Sequence, residues 1–131
     1  MSFILHTIWE VLKGVPNTII ISIVAMIIGL VIGTIFAMIR LAKIPVLSQF
    51  IVVYNSFIRS TPLIVQLFVL YYGLPALLLF FNAQLHTHFN PDAFSPLTIA
   101  CIGFSLHAIA YLSESMKGGL QSVESVSYTH L

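Results

Sequence analysis

Three long apolar runs separated by short polar stretches set the pattern of this chain. The first extends from Val15 to Ile39 without a charge, about 25 residues, enough for one tilted membrane crossing. Pro16 stands near its start, where a helix tolerates proline. The second covers Pro62 to Phe81, about 20 residues, with Tyr71 and Tyr72 placed to mark the far interface and Gly73 and Pro75 placed to bend it. The third, residues 97–113, is uncharged and short, and a turn added at each end brings it to crossing length. The expected fold is all-α, a multi-pass transmembrane protein with about three spans.

Between these runs the pattern changes. Residues 1–14 mix Trp9 with apolar neighbours and the near-cancelling Glu10 and Lys13, which suits a short interfacial helix. Residues 46–59 read as an amphipathic helix. Leu47, Phe50, Ile51, Tyr54, Phe57 and Ile58 follow helical spacing, with Ser48, Gln49, Asn55, Ser56 and Arg59 expected on the opposite face. Residues 82–96 read as a loop, with Asn90-Pro91-Asp92 as a turn signal and Ser95-Pro96 as the start of the next helix.

Composition sharpens this picture. Of 131 residues, 59% are hydrophobic and 7% charged, too few for the polar surface of a soluble domain. A formal net charge of +1 points to neither nucleic acid nor an acidic substrate. The single cysteine, Cys101, lies in an apolar run and reads as packing. Residues 1–15 lack a basic start, and the apolar run after them is too long for a cleaved signal. The N-terminal run is expected to stay as a membrane helix.

Four constellations stand out. Within the first span Ala25, Gly29, Gly33 and Ala37 recur every four residues, a stripe that lets another helix backbone approach closely. At the threshold of the second run, Arg59 is followed by Ser60-Thr61-Pro62. Ser60 or Thr61 can cap a helix there, and Pro62 suits its first turn. Gln66 shares a face with Arg59 if one helix runs through, whereas Pro62 permits either a kinked helix or a fresh one. The plain alternative makes Arg59 an interfacial anchor and Gln66 a helix–helix hydrogen bond. At the end of the third run His107, Tyr111 and Glu114 lie on one helix face, with Lys117 placed to pair with Glu114. Either these line a pathway, or Glu114 lies at the headgroups and His107 satisfies a carbonyl. His86-x-His88 lacks a nearby carboxylate or thiol to complete a metal site, and no metal or other cofactor is expected.

Two of these stretches carry a resemblance. Phe57-Ile-Arg59-Ser-Thr61-Pro62-Leu-Ile-Val-Gln66 resembles a motif of bacterial ABC importer permeases for polar amino acids. Ala110-Tyr111-Leu-Ser-Glu114-Ser-Met-Lys117-Gly118-Gly119-Leu-Gln121-Ser122-Val123 resembles a second motif of that family, with Lys117 in place of its usual arginine. Gly14, Thr18 and Arg40 also fit the family pattern around the first span. The resemblance covers about residues 10–125 and implies a permease that forms the substrate pathway by alternating access. It implies pathway roles for Arg59, Gln66, His107, Tyr111 and Glu114. It also implies an approach to the ATPase through Lys117, Gly118, Gly119, Gln121 and Ser122. The implied partners are a cytoplasmic ATP-binding subunit, an extracytoplasmic substrate-binding protein and a second permease subunit. A docking loop and about five spans belong to the family pattern. The chain instead reads Val-Ser-Tyr-Thr-His-Leu after Ser125, so residues 1–125 are expected to be an N-terminal part of the transmembrane domain and 126–131 a non-native tail.

The chain has no G-x-x-x-x-G-K-[ST] run and no nucleophile–base set, so it is not expected to be an enzyme. Arg40, Lys43 and Arg59 between the first two spans, and Lys117 after the third, place those segments in the cytoplasm. The N-terminus and the 82–96 loop then face outward from a bacterial inner membrane. The alternative to a permease is a small structural or regulatory membrane protein that oligomerises through the Ala25/Gly29/Gly33/Ala37 stripe.

Overall fold

The structure, a computed structural model, describes residues 1–129, with side chains described as far as Val123. Five helices follow in order: α1 Ser2–Leu12, α2 Val15–Leu41, α3 Pro45–Ser60, α4 Leu63–Leu85 and α5 Pro96–Thr129. There is no strand among the described residues. Three helical stretches are long and apolar enough to cross a membrane: Ser2–Leu41, Leu63–Leu85 and Pro96–Val123. The expected all-α, three-span architecture holds. Of the tail expected at 126–131, residues 130 and 131 lie outside the described residues, as do all its side chains.

The first of those stretches joins α1 to α2. Gly14 keeps right-handed helical dihedrals and its N–H reaches the Val11 carbonyl, so the chain barely leaves the helix there. Thr18 hydroxyl returns to the Gly14 carbonyl at 3.1 Å. No residue of α1 is buried. At the other junction α4 runs unbroken through Gly73 and Pro75 to Leu85, further than the sequence pattern suggested. Beyond it, Asn82 organises the loop by accepting from Thr87 hydroxyl and Phe89 N–H while donating to the Phe89 carbonyl. Asn90 forms the expected turn, accepting from Asp92 N–H at 3.0 Å, and Ser95 caps α5 through Thr98 N–H at 3.2 Å.

α2, α3 and α4 all pack against α5, and α2 lies along it most extensively. The two run parallel: Gly29 abuts Ala108 and Leu112, and Gly33 abuts Ile109, Leu112 and Ser113. Ala25, Gly29, Gly33 and Ala37 are the buried residues of α2, so the small-residue stripe does hold two backbones close. Its partner is α5 of the same chain. The stripe is therefore not free to hold a second copy, which removes the basis of the oligomerising alternative. Most large apolar side chains point outward, Val46 and Phe3 among them, as suits helices whose solvent is lipid.

At the α3–α4 junction one of two open alternatives is selected and one expectation is corrected. Thr61 precedes a proline, which disfavours helical dihedrals, and it adopts φ −99°, ψ 131°. A fresh helix begins after it, and a single kinked helix is excluded. Ser60 and Thr61 do not cap α4. Their hydroxyls donate back to the Phe57 carbonyl, at 3.1 and 2.7 Å, and finish α3 instead.

Candidate functional site

The polar side chains of this chain converge where α2 and α3 meet α5. Arg40, in the last turn of α2, meets Glu114 of α5 with 2.5 Å between Nη1 and Oε1. Side chains lean toward a helix's N-terminus, so an arginine at the end of α2 reaches back to a residue level with the preceding turns. Both partners are largely shielded, at 13% and 29% exposure, where an unpaired charge would be strongly disfavoured. Asn55 of α3 is buried to 1% exposure and donates from Nδ2 to Glu114 Oε1 at 3.0 Å and to Ser113 Oγ at 3.1 Å. The carboxylate fixes which way this amide points, because only its NH₂ end can face Glu114.

This arrangement revises the sequence reading twice. Glu114 is engaged by Arg40, from 74 residues earlier in the chain, in the place expected for Lys117. Asn55, assigned to the polar outer face of α3, faces inward with Ile51 and Ile58. Apolar Phe50, Val53 and Phe57 face outward in its stead. Sequence reasoning missed Asn55 as a site residue. The available signal was its spacing from Ile51 and Ile58, four and three residues away.

The remaining expected site residues fall into two groups. His107, Tyr111 and Arg59 come together. The His107 and Tyr111 rings lie 4.6 Å apart, and the Arg59 guanidinium sits 5.5 Å from the Tyr111 ring centroid. Tyr111 remains 43% exposed, so this group borders open space. Above it, Tyr54 hydroxyl donates to the Leu106 carbonyl at 2.7 Å, and burial pushes that phenol up to about 12, keeping it a donor at neutral pH.

Gln66 stands apart from that group. Its Nε2 donates to the Ile58 and Thr61 carbonyls, at 2.9 and 3.2 Å, and so ties the start of α4 to the end of α3. It does not share a face with Arg59 on one helix. Lys117, Gly118, Gly119, Gln121 and Ser122 lie on the far part of α5, where a Cβ at either glycine would meet nothing within 4 Å. Among the described residues, no group of three or more histidine, cysteine or carboxylate side chains is placed to hold a metal ion.

A charge pair between two span-length helices, joined by a buried amide from α3, marks a polytopic membrane protein with a polar interior, the class to which transporters belong. The relatives say which transporters. The chain is 38% identical over 122 residues, 93% of its length, to the probable amino-acid permease protein YxeN of Bacillus subtilis. It is 37% identical over 94% of its length to the probable amino-acid ABC transporter permease protein PatM of Vibrio harveyi. To the L-cystine transport system permease protein TcyB of Bacillus subtilis it is 37% identical over 88% of its length. The chain belongs to the amino-acid ABC transporter permeases. It spans about half the length of these relatives: 50%, 51% and 44% respectively. No protein-family model and no solved structure matches it.

Proposed function

We propose that this chain forms part of the membrane pathway of an ATP-driven amino-acid uptake system, working by alternating access. The observation that carries the reading is its identity to such permeases over nearly its whole length. ATP hydrolysis then belongs to a separate cytoplasmic subunit, and an extracytoplasmic binding protein delivers the amino acid to a pair of permease subunits. Residues 1–125 belong to the transmembrane domain and 126–131 to a tail foreign to it. The N-terminus faces outward from a bacterial inner membrane, consistent with the placement of Arg40, Lys43 and Arg59.

The contacts around α5 support a proposed division of the site residues by role. Glu114 is neutralised by Arg40 and steadied by Asn55, so it organises the helices and is not free to hold the substrate's ammonium group. To Arg59 we assign the α-carboxylate of the substrate, a reading supported by its position beside Tyr111 and His107 at the open edge of the group. Gln66 serves the path indirectly by fixing the start of α4.

A chimera tests this. Residues 1–123 replace the aligned segment of YxeN or PatM, in cells lacking their own uptake system, and labelled amino-acid uptake is measured with the matching ATPase and binding protein. ATP-dependent uptake that falls at least tenfold in Arg59→Ala supports the reading. A chimera that inserts and recruits the ATPase but carries no amino acid refutes it.

A further inference from the structure

Beyond forming a pathway, we infer that the cleft between α4 and α5 holds one phospholipid with a primary-amine head, its acyl chain in an apolar slot and its ammonium against Asp92. The cleft has two chambers. The slot, about 290 Å³, lies between Ile64, Leu67 and Phe68 of α4 and Ile99 and Ala100 of α5. The second chamber, about 310 Å³, is walled by Pro75 of α4 and by Pro91, Asp92 and Phe94 of the loop before α5. Tyr71, Tyr72, Pro96 and Ile99 line both, so the two chambers adjoin.

Small residues of α5 give the cleft its shape. Gly103 lets α4 close on α5: a Cβ there would lie 2.5 Å from Leu67 Cδ2. Beside this contact Ala100 is too small to fill the space next to Phe68 and Tyr72, whose rings stack 6.3 Å apart. The slot runs along α4 between Ile64 and Tyr72, about 12 Å at the helical rise. Its mouth lies at interface depth. From Glu114 back to Pro96, α5 rises about 27 Å, close to the roughly 30 Å of a hydrocarbon core. With the Arg40–Glu114 pair at one interface, Tyr71, Tyr72 and Asp92 stand at the other, where tyrosine is enriched.

Charge selects the head. Asp92 is the one residue of 82–96 with a formal charge, and its N–H bonds Asn90 Oδ1, which fixes the turn. Of the acidic side chains described, Glu10 and Glu114 have basic partners and Asp92 has none. A phosphatidylglycerol head presents only negative charge to it, and a choline head has no N–H to donate. An ethanolamine ammonium donates three hydrogen bonds, and Tyr72, 67% exposed, is available as its cation–π partner. A free amine would satisfy Asp92 and leave the apolar slot unfilled, whereas a lipid occupies both chambers.

Photo-crosslinking tests the inference on the full chain in nanodiscs of phosphatidylethanolamine and phosphatidylglycerol in equal parts, with one lipid or the other carrying a diazirine in its acyl chain. The ethanolamine probe is expected to label the 64–72 and 96–100 peptides about fivefold more than the glycerol probe. Asp92→Asn, an exposed loop change that leaves the helices intact, should bring the two probes level. Ala100→Leu should fill the slot and abolish both labels there. Equal labelling of the parent by the two probes, or labelling unchanged in Asp92→Asn, overturns the proposal. Two other occupants are told apart in the same way. Labelling that disappears when two chains share a disc assigns the cleft to a second copy. Labelling present in the chain and lost in the YxeN chimera assigns it to the second half of a permease. Either result overturns the lipid site. The labelling requires no transport, so the outcome stands apart from that of the uptake experiment.

Discussion

Replacing Gly29 with alanine is the most direct test of how α2 and α5 are joined. A Cβ at position 29 would lie 2.8 Å from Ala108 Cβ, 2.8 Å from Leu112 Cδ1 and 3.3 Å from the Ala108 carbonyl carbon. Carbon atoms pack best at roughly 3.5–4.0 Å, so about 1 Å of extra room is needed. Leu112 can swing its methyl aside, but Ala108 Cβ and carbonyl carbon are fixed to the backbone and can yield only if the helices part. Overpacking of this kind costs about 1–3 kcal/mol, against a helix-propensity gain from alanine of roughly 0.5–1 kcal/mol. The net expectation is destabilisation by about 1–2 kcal/mol.

Gly33 differs in degree. Its Cβ would meet Ser113 N at 3.1 Å, Leu112 Cβ at 3.3 Å and the Ile109 carbonyl oxygen at 3.4 Å, so a few tenths of an ångström suffice. Gly33→Ala is expected within about 0.5 kcal/mol of the parent, because strain and propensity nearly cancel. At Gly118 a Cβ meets nothing within 4 Å, so alanine there should stabilise by roughly 0.5–1 kcal/mol. Reversible unfolding in mild detergent, followed by helicity, measures all three. Equal effects at positions 29 and 118, or greater damage at 33 than at 29, would refute the close-packing argument.

The other expectations concern the polar network and the orientation. Arg40→Gln and Glu114→Gln should each destabilise by about 3–5 kcal/mol by stranding the other charge, while the double variant recovers most of the loss; additive losses in the same unfolding assay would show that the two do not interact. Gln66→Leu frees the Ile58 and Thr61 carbonyls and should cost about 1–3 kcal/mol, seen as faster proteolysis at the α3–α4 junction with α2 unaffected. For orientation, a membrane-impermeant thiol reagent applied to intact cells should label Ala83→Cys and spare Ser48→Cys in a Cys101→Ser background. The opposite pattern overturns the N-outside topology.

The spans and the glycine stripe were legible in the sequence because each rests on local counting: uninterrupted apolar length for one, four-residue spacing for the other. The polar network was not legible, because its partners come from different helices and depend on how those helices lie side by side. Lys117, three residues from Glu114, was the local choice, whereas Arg40 wins only once α2 and α5 are known to run parallel. Asn55 was misplaced for another reason. In water a polar residue belongs on the outer face of an amphipathic helix, but where lipid surrounds the protein the amide finds partners inside and the phenylalanines go outward. At Ser60 and Thr61 a signal was present and outweighed: the residue before Pro62 had to leave the helix, so these hydroxyls were nearer to the end of α3 than to the start of α4.

The parallel pairing of α2 with α5 also sets a schedule for biosynthesis. Glu114 is made 74 residues after Arg40, and α4 must cross the bilayer in between. At about 5–20 residues per second, the ribosome leaves α2 in the membrane for roughly 4–15 s before α5 arrives. Throughout that interval Gly29 and Gly33 offer an open groove to any passing helix, and the Arg40 guanidinium has no carboxylate. The nascent first span is thus the stage at which this protein most needs an insertase or chaperone to shield it. Slowing translation between α4 and α5 should raise degradation of the chain, and it should do so less when Arg40 and Glu114 are both glutamine.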